Sequence, residues 1–175
     1  MSTKIKHKVG QFYLNRKLKK LKRKVRSHNF TTAKTAGIIF NAPDKKSFEA
    51  IKKFLSFLSD NNLKVIALGY IPAQKIPEEF LMWNSVNFYC NTDLNWYYKP
   101  KNVIINEFIN QSFDILFDLS IDEYFTTNFI GNLSKANFKI GKQRPNSYHD
   151  LVIDINKNNS IKYLIDQIRH YLNLI

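Results

Sequence analysis

An α/β fold, with a mostly parallel sheet of about five or six strands between layers of helices, is what the sequence predicts from three observations. Its short apolar runs lack the period-two alternation of a strand with one wet face, so they belong to strands covered on both sides. Those runs alternate along the chain with stretches whose apolar residues recur at three- and four-residue spacing, the mark of amphipathic helices. The first thirty residues stand apart, rich in lysine and arginine and without a single acid.

Taken in order, residues 4–27 read as a helix. Leu14, Leu18, Leu21 and Val25 share one face at spacings of four, three and four, and Ile5, Val9 and Phe12 make a shorter stripe. Gly10 and Asn15 weaken the pattern. Such a helix cannot stand alone, because its neighbours three and four apart carry like charges. Residues 31–35 (TTAKT) form a small polar linker, and AGIIFNA (36–42) is a buried strand. Asp44 is placed to cap a helix carrying Phe48, Ile51, Phe54, Leu55 and Leu58. LKVIALGYI (63–71) is a second strand, residues 72–85 are irregular, and VNFYC (86–90) is a third. NTDLNWYYKPKN is a loop and VIINEFINQ a helix. FDILFDLS (113–120) is a fourth strand, and DEYFTTNFIGNLSKA is a helix ending near Lys135. FKIGK (138–142) and DLVIDI (150–155) flank a turn at RPNS (144–147), and an amphipathic helix closes the chain. The reading is a basic helical arm over 1–30 and one three-layer, Rossmann-like α/β domain over 31–175.

Charge divides at the same boundary. The 175-residue chain has a formal net charge of +13, with 27 Lys and Arg against 14 Asp and Glu. Lys4, Lys6, Lys8, Arg16, Lys17, Lys19, Lys20, Lys22, Arg23, Lys24 and Arg26 lie in the arm, so the body is close to neutral. A block of like charge repels itself, and a polyanion relieves that repulsion.

Several chemistries find no support in the residues. One cysteine, Cys90, rules out an internal disulfide and a cysteine-based zinc cluster, and it reads as a small buried residue ending a strand. No apolar run approaches the ~20 residues that cross a bilayer, no apolar stretch follows Met1, and the Met-Ser-Thr start lacks the glycine that myristoylation needs. A cytoplasmic protein is expected. The loop after the first strand, NAPDKKS, has no glycine to bring backbone against a phosphate, so no dinucleotide or P-loop cofactor is expected. His7, His28, His149 and His170 show no metal spacing, and His28 and His170 are expected to be solvated. His149 and Asp150, adjacent on extended chain, are expected to point apart.

Two sets of residues remain as candidates. Ligands of open α/β sheets sit beyond the carboxyl ends of the strands, which here bear Asn41, Asp44, Tyr70, Asn91, Asp93, Asp118 and Ser120. Asp44, Asp93 and Asp118 are the carboxylates to which a small ligand would come, although Asp and Asn also start helices and close turns. Trp96, Tyr97 and Tyr98, followed by Lys99 and Lys101, suit stacking on bases or on a partner protein, or else cover the sheet edge.

Residues 113–142 resemble the N-terminal half of lipopolysaccharide heptosyltransferases at Phe113, Asp114, Ile115, Phe117, Asp118, Leu119, Ala136, Lys139, Ile140 and Gly141. The resemblance spans a strand, a helix and a strand, and implies the fold. That family's glycine-bearing first loop and C-terminal nucleotide-sugar domain have no counterpart. The GIIF and ALGYI strands, DLNWYYKPK and FDILFDL, in this order, are also similar to an uncharacterised family of small proteins from Bacteroidota, which implies a bacterial cytosolic protein.

The expected function is non-catalytic RNA binding through Arg16, Lys17, Lys19, Lys20, Lys22, Arg23, Lys24 and Arg26, with rRNA, the ribosome and ribosomal proteins as partners. Two alternatives carry less of the sequence. One is a membrane surface gripped by the basic amphipathic helix; the other is a small-molecule or enzymatic site at the strand ends.

Overall fold

The computed structural model describes residues 3–41, 44–145 and 147–174. Ala42 of the first expected strand, Asn146 of the expected turn and the Met-Ser start lie outside them.

Six strands form one sheet: β1 (Thr35–Asn41), β2 (Lys64–Ile71), β3 (Val86–Cys90), β4 (Ile115–Asp118), β5 (Phe138–Lys142) and β6 (Leu151–Ile153). Their order is β3-β2-β1-β4-β5-β6, and every neighbouring pair is parallel. The sequence predicted a mostly parallel sheet; it is parallel throughout. The chain leaves β1 toward β2 on one side and β4 toward β5 on the other. The β1/β4 boundary is therefore where the order reverses, and an open α/β sheet has a crevice there, beyond the carboxyl ends.

The helices are α1 (Thr3–Leu18), α2 (Lys45–Asp60), α3 (Glu78–Leu81), α4 (Val103–Asn110), α5 (Phe125–Leu133) and α6 (Ile161–Leu172). Asp44 caps α2 through Ser47 N (2.6 Å), as the sequence predicted, and Ser160 caps α6 through Tyr163 N (3.2 Å). The short α3 lies in the stretch expected to be irregular.

Alternate residues of each strand face opposite layers. Ile38, Phe40, Ile115, Phe117 and Ile140 pack beneath Ile51, Phe54 and Leu58 of α2 and Leu164 and Ile168 of α6. Ile39, Leu68 and Leu116 face Ile105 and Phe108 of α4 and Ile130 of α5. Each such side chain contributes about 1.5–3 kcal/mol on full burial.

The arm supplies a fourth layer. Leu14 is buried against Phe129 and Leu133 on the outer side of α5. The helix expected over 4–27 ends at Leu18, and residues 21–29 run without helix. Body groups take the place of helical hydrogen bonds there: Arg26 N donates to Asn137 O (3.1 Å), and the Arg23 guanidinium donates to Ala136 O (3.1 Å). An extended path also spreads the cations that a helix would stack three and four apart. Val25, placed by spacing on the apolar face, is 61% exposed.

Candidate functional site

The docking of α1 sets the geometry of the basic surface. Gly10 is buried where the helix meets the body, and a Cβ there would come within 2.8 Å of both Tyr97 O and the Phe125 ring. The glycine that weakens the helix in sequence is the point of closest approach. The Trp96–Tyr97–Tyr98 loop, expected to cover the sheet edge, receives α1. The Tyr98 ring lies tilted against His7 (4.9 Å between ring centroids), and Tyr97 lies near Tyr13 (5.9 Å). Lys99 Nζ donates to Tyr13 OH (3.2 Å) and sits 4.6 Å from that ring's centre. Trp96 remains 52% exposed.

The eight arm cations expected to bind RNA split seven to one. Arg23 makes two hydrogen bonds to Asp150 (2.7 and 2.5 Å) and is part of the body's framework. Asp150 also accepts from Lys139 N (2.8 Å). Burial alone would raise the Asp150 carboxyl, but the Arg23 bonds and the Lys139 amide hold it below its ordinary value. Arg16, Lys17, Lys19, Lys20, Lys22, Lys24 and Arg26 are exposed. Among the described residues, none of these seven has a carboxylate within 4.0 Å.

At the carboxyl ends of the strands, the expected carboxylates do not converge. Asp44 is spent on its helix cap. Asp93 accepts from Cys90 N (2.9 Å) and Asn102 Nδ2 (3.2 Å) and closes a turn. Tyr70 OH donates to Asn91 Oδ1 (2.6 Å), and Asn41 Nδ2 donates to Asp122 O (2.5 Å), tying the loop after β4 to the end of β1. Asp118 lies buried at the end of β4, behind groove-lining partners that the sequence did not join to it.

Asp118, 1% exposed, accepts from Tyr148 OH (2.7 Å), His149 Nε2 (3.1 Å) and Ser120 N (2.9 Å), and Arg144 Nη1 stands 3.6 Å away. Burial raises a carboxyl's pKa, but here the His149 bond, the Arg144 charge and the Tyr148 bond prevail, and Asp118 is held far below the carboxylate range. The same burial beside an anion pushes the Tyr148 phenol well above its ordinary value. Arg144 also donates to Ser120 O. His149 and Asp150 do point apart, one to Asp118 and the other to Arg23.

Two glycines make room for the arrangement. A Cβ on Gly131 would lie 1.8 Å from Tyr148 OH, and one on Gly141 would lie 2.4 Å from His149 Nε2. Beneath them, Lys139 donates from Nζ to Gly131 O (2.8 Å) and Asn132 O (2.9 Å) at the end of α5. Burial, reinforced by the Arg23 charge and opposed by Asp150, brings its amine down to about 7.

His28, expected in solvent, is 7% exposed, with Nε2 3.9 Å from Asp114 Oδ1; His170 is exposed as expected. Among the described residues no group of three His, Cys, Asp or Glu could hold a metal ion. Ser147 Oγ lies 2.7 Å from His149 Nδ1, so hydroxyl, imidazole and carboxylate stand in the order of a proton relay. Ser147 Oγ also accepts from His149 N (3.3 Å), a local turn that holds the imidazole on Asp118.

A groove of about 660 Å³ runs between α1, α5 and the 144–149 loop, and a second of about 310 Å³ opens beyond Tyr124. His7 borders both.

A family described as a family of unknown function (DUF6913) matches residues 6–175. The chain belongs to that family. The DUF6913 match takes in the arm from its first turn and the whole sheet. No curated protein and no solved structure matches the chain. Among the described residues, no helix is long and apolar enough to cross a membrane.

Proposed function

We propose that this protein is a non-catalytic RNA-binding protein of the bacterial cytoplasm, associated with the ribosome, and that its docked arm is the contact surface. One observation carries the reading: seven arm cations stay exposed, without a carboxylate partner among the described residues, on a segment that the body holds in place. A fixed array of this kind neutralises phosphates and releases counterions without first ordering a free tail. Trp96, exposed beside the arm, offers a face for a base. The likeness of residues 113–142 to heptosyltransferases belongs in this reading to the α/β scaffold that carries the arm, and activity is not inferred from it.

The test is sedimentation of the full chain from lysate, with and without RNase, beside a Lys19→Glu/Lys20→Glu/Lys22→Glu/Lys24→Glu variant that leaves the Arg23–Asp150 pair intact. Cosedimentation with ribosomal particles is expected for the natural chain, with affinity falling about a thousandfold between 50 and 200 mM salt. Binding that survives the charge reversal would end the arm's role.

A second reading, contact with an anionic membrane surface, is favoured by the exposure of Ile5 (49%), Phe12 (71%) and Val25 (61%) among the arm's cations. Flotation with anionic vesicles in place of ribosomal cosedimentation would select it.

A further inference from the structure

The groove between α1 and α5 has two facing walls of amides. On α1, Gln11 Nε2 donates to Asn15 Oδ1 (2.9 Å); on α5, Asn132 Nδ2 donates to Asn128 Oδ1 (2.7 Å). Each bond uses one donor group and one acceptor, so each pair presents one carbonyl and one amide NH2 with no side-chain partner among the described residues. Side by side, these complement the mixed donor and acceptor edge of a base.

Two further features narrow the chemistry. Arg144 borders the groove with its side chain 8% exposed and its Nε buried without a partner, although its terminal nitrogens are engaged by Asp118 and Ser120. Those two partners hold the guanidinium fixed beside the groove. Phe125 and Pro145 add apolar surface suited to a flat ring. Along the same side of α1, at steps of three and four residues from Gln11, Lys8 and Lys4 stand exposed just outside the groove's lining. A neutral sugar would use the amides and leave those cations idle, whereas a nucleotide uses both.

We propose that this groove is a nucleobase site, filled either by one nucleotide of a bound RNA strand or by a free nucleotide. The first source rests on the RNA reading; the second does not. The volume of about 660 Å³ accepts a nucleotide with room for a neighbour.

The experiment measures binding of AMP, GMP, CMP, UMP and the four homopolymeric RNA oligonucleotides to the full chain and to an Asn128→Ala/Asn132→Ala variant. Circular dichroism confirms that the variant keeps its fold. Discrimination among bases of about tenfold or more is expected, and is lost in the variant while salt-dependent affinity for RNA persists. RNA binding without base preference, or a preference unchanged by the double substitution, overturns the base site and leaves the RNA reading standing. Asn128- and Asn132-dependent binding of a mononucleotide without RNA binding supports the site and removes the RNA reading. Binding of neither removes both.

Discussion

His149 Nε2 meets Asp118 Oδ2 at 3.1 Å, across 31 residues of chain, and the contact joins the loop before β6 to the end of β4. Tyr148 OH reaches the same oxygen from the neighbouring residue, with Gly131 and Gly141 lying where any side chain would block the two rings. The loop thereby closes over the carboxyl edge of the sheet and forms one bank of the groove.

Because Asp118 is ionised in the fold far below its unfolded value near ~3.9, the native state binds fewer protons than the unfolded one across that interval. Its stabilisation is complete above about pH 4 and declines as pH falls toward the folded value. An Asp118→Asn substitution strands the buried Arg144 and should cost about 3–5 kcal/mol in urea unfolding at neutral pH. The difference from the natural chain should shrink under acid. A neutral-pH loss below about 1 kcal/mol would mean that the charge contributes little.

Lys139 predicts the opposite end of the pH scale. Its folded pKa near 7 lies below the unfolded ~10.4, so the unfolded state holds the extra proton between them, and stability rises as pH climbs through that window. Between about pH 7 and 9 the gain should approach ~2 kcal/mol. Lys139→Met should flatten the slope, whatever it does to absolute stability by leaving two carbonyls unbonded. Thermal melts across this range decide it, and an unchanged slope in the variant would assign the effect elsewhere.

Gly10 separates two accounts of the arm. Taken alone, Gly10→Ala improves a helix by up to about 1 kcal/mol. In the fold its Cβ would press on Tyr97 O and Phe125 at 2.8 Å, so α1 has to lift. Amide exchange in α1 and tryptic cleavage after Lys17 should therefore accelerate about tenfold, with the body unaffected. Slower exchange would show that the helix is limited by its own propensity and that the docking is incidental.

Much of the body was legible because it depends on local pattern. β5 falls on the residues expected of it, and α2 starts at the cap that Asp44 announced, since apolar runs and capping side chains report their environment within a few residues. The Leu14–Val25 stripe misled for the same reason. Spacing cannot tell a continuous helix from a short one followed by an extended strap, and only contact with α5 and the Arg23–Asp150 pair separates them. Asp118 was visible as a strand-end carboxylate. Arg144, Tyr148 and His149 were not visible as its partners, because nothing in a turn of ordinary composition says which strand it folds back upon.

The sequence by itself determined the class of fold, the alternation of its elements and the concentration of net positive charge in the first thirty residues, all properties of composition and period. The tertiary structure decided the strand order, the docking of the arm as a fourth layer, the capture of Arg23 by Asp150 and the buried cluster around Asp118. Each of those joins groups far apart in the chain, and a pairing over that distance is selected by packing and desolvation in the finished fold, which no local pattern records.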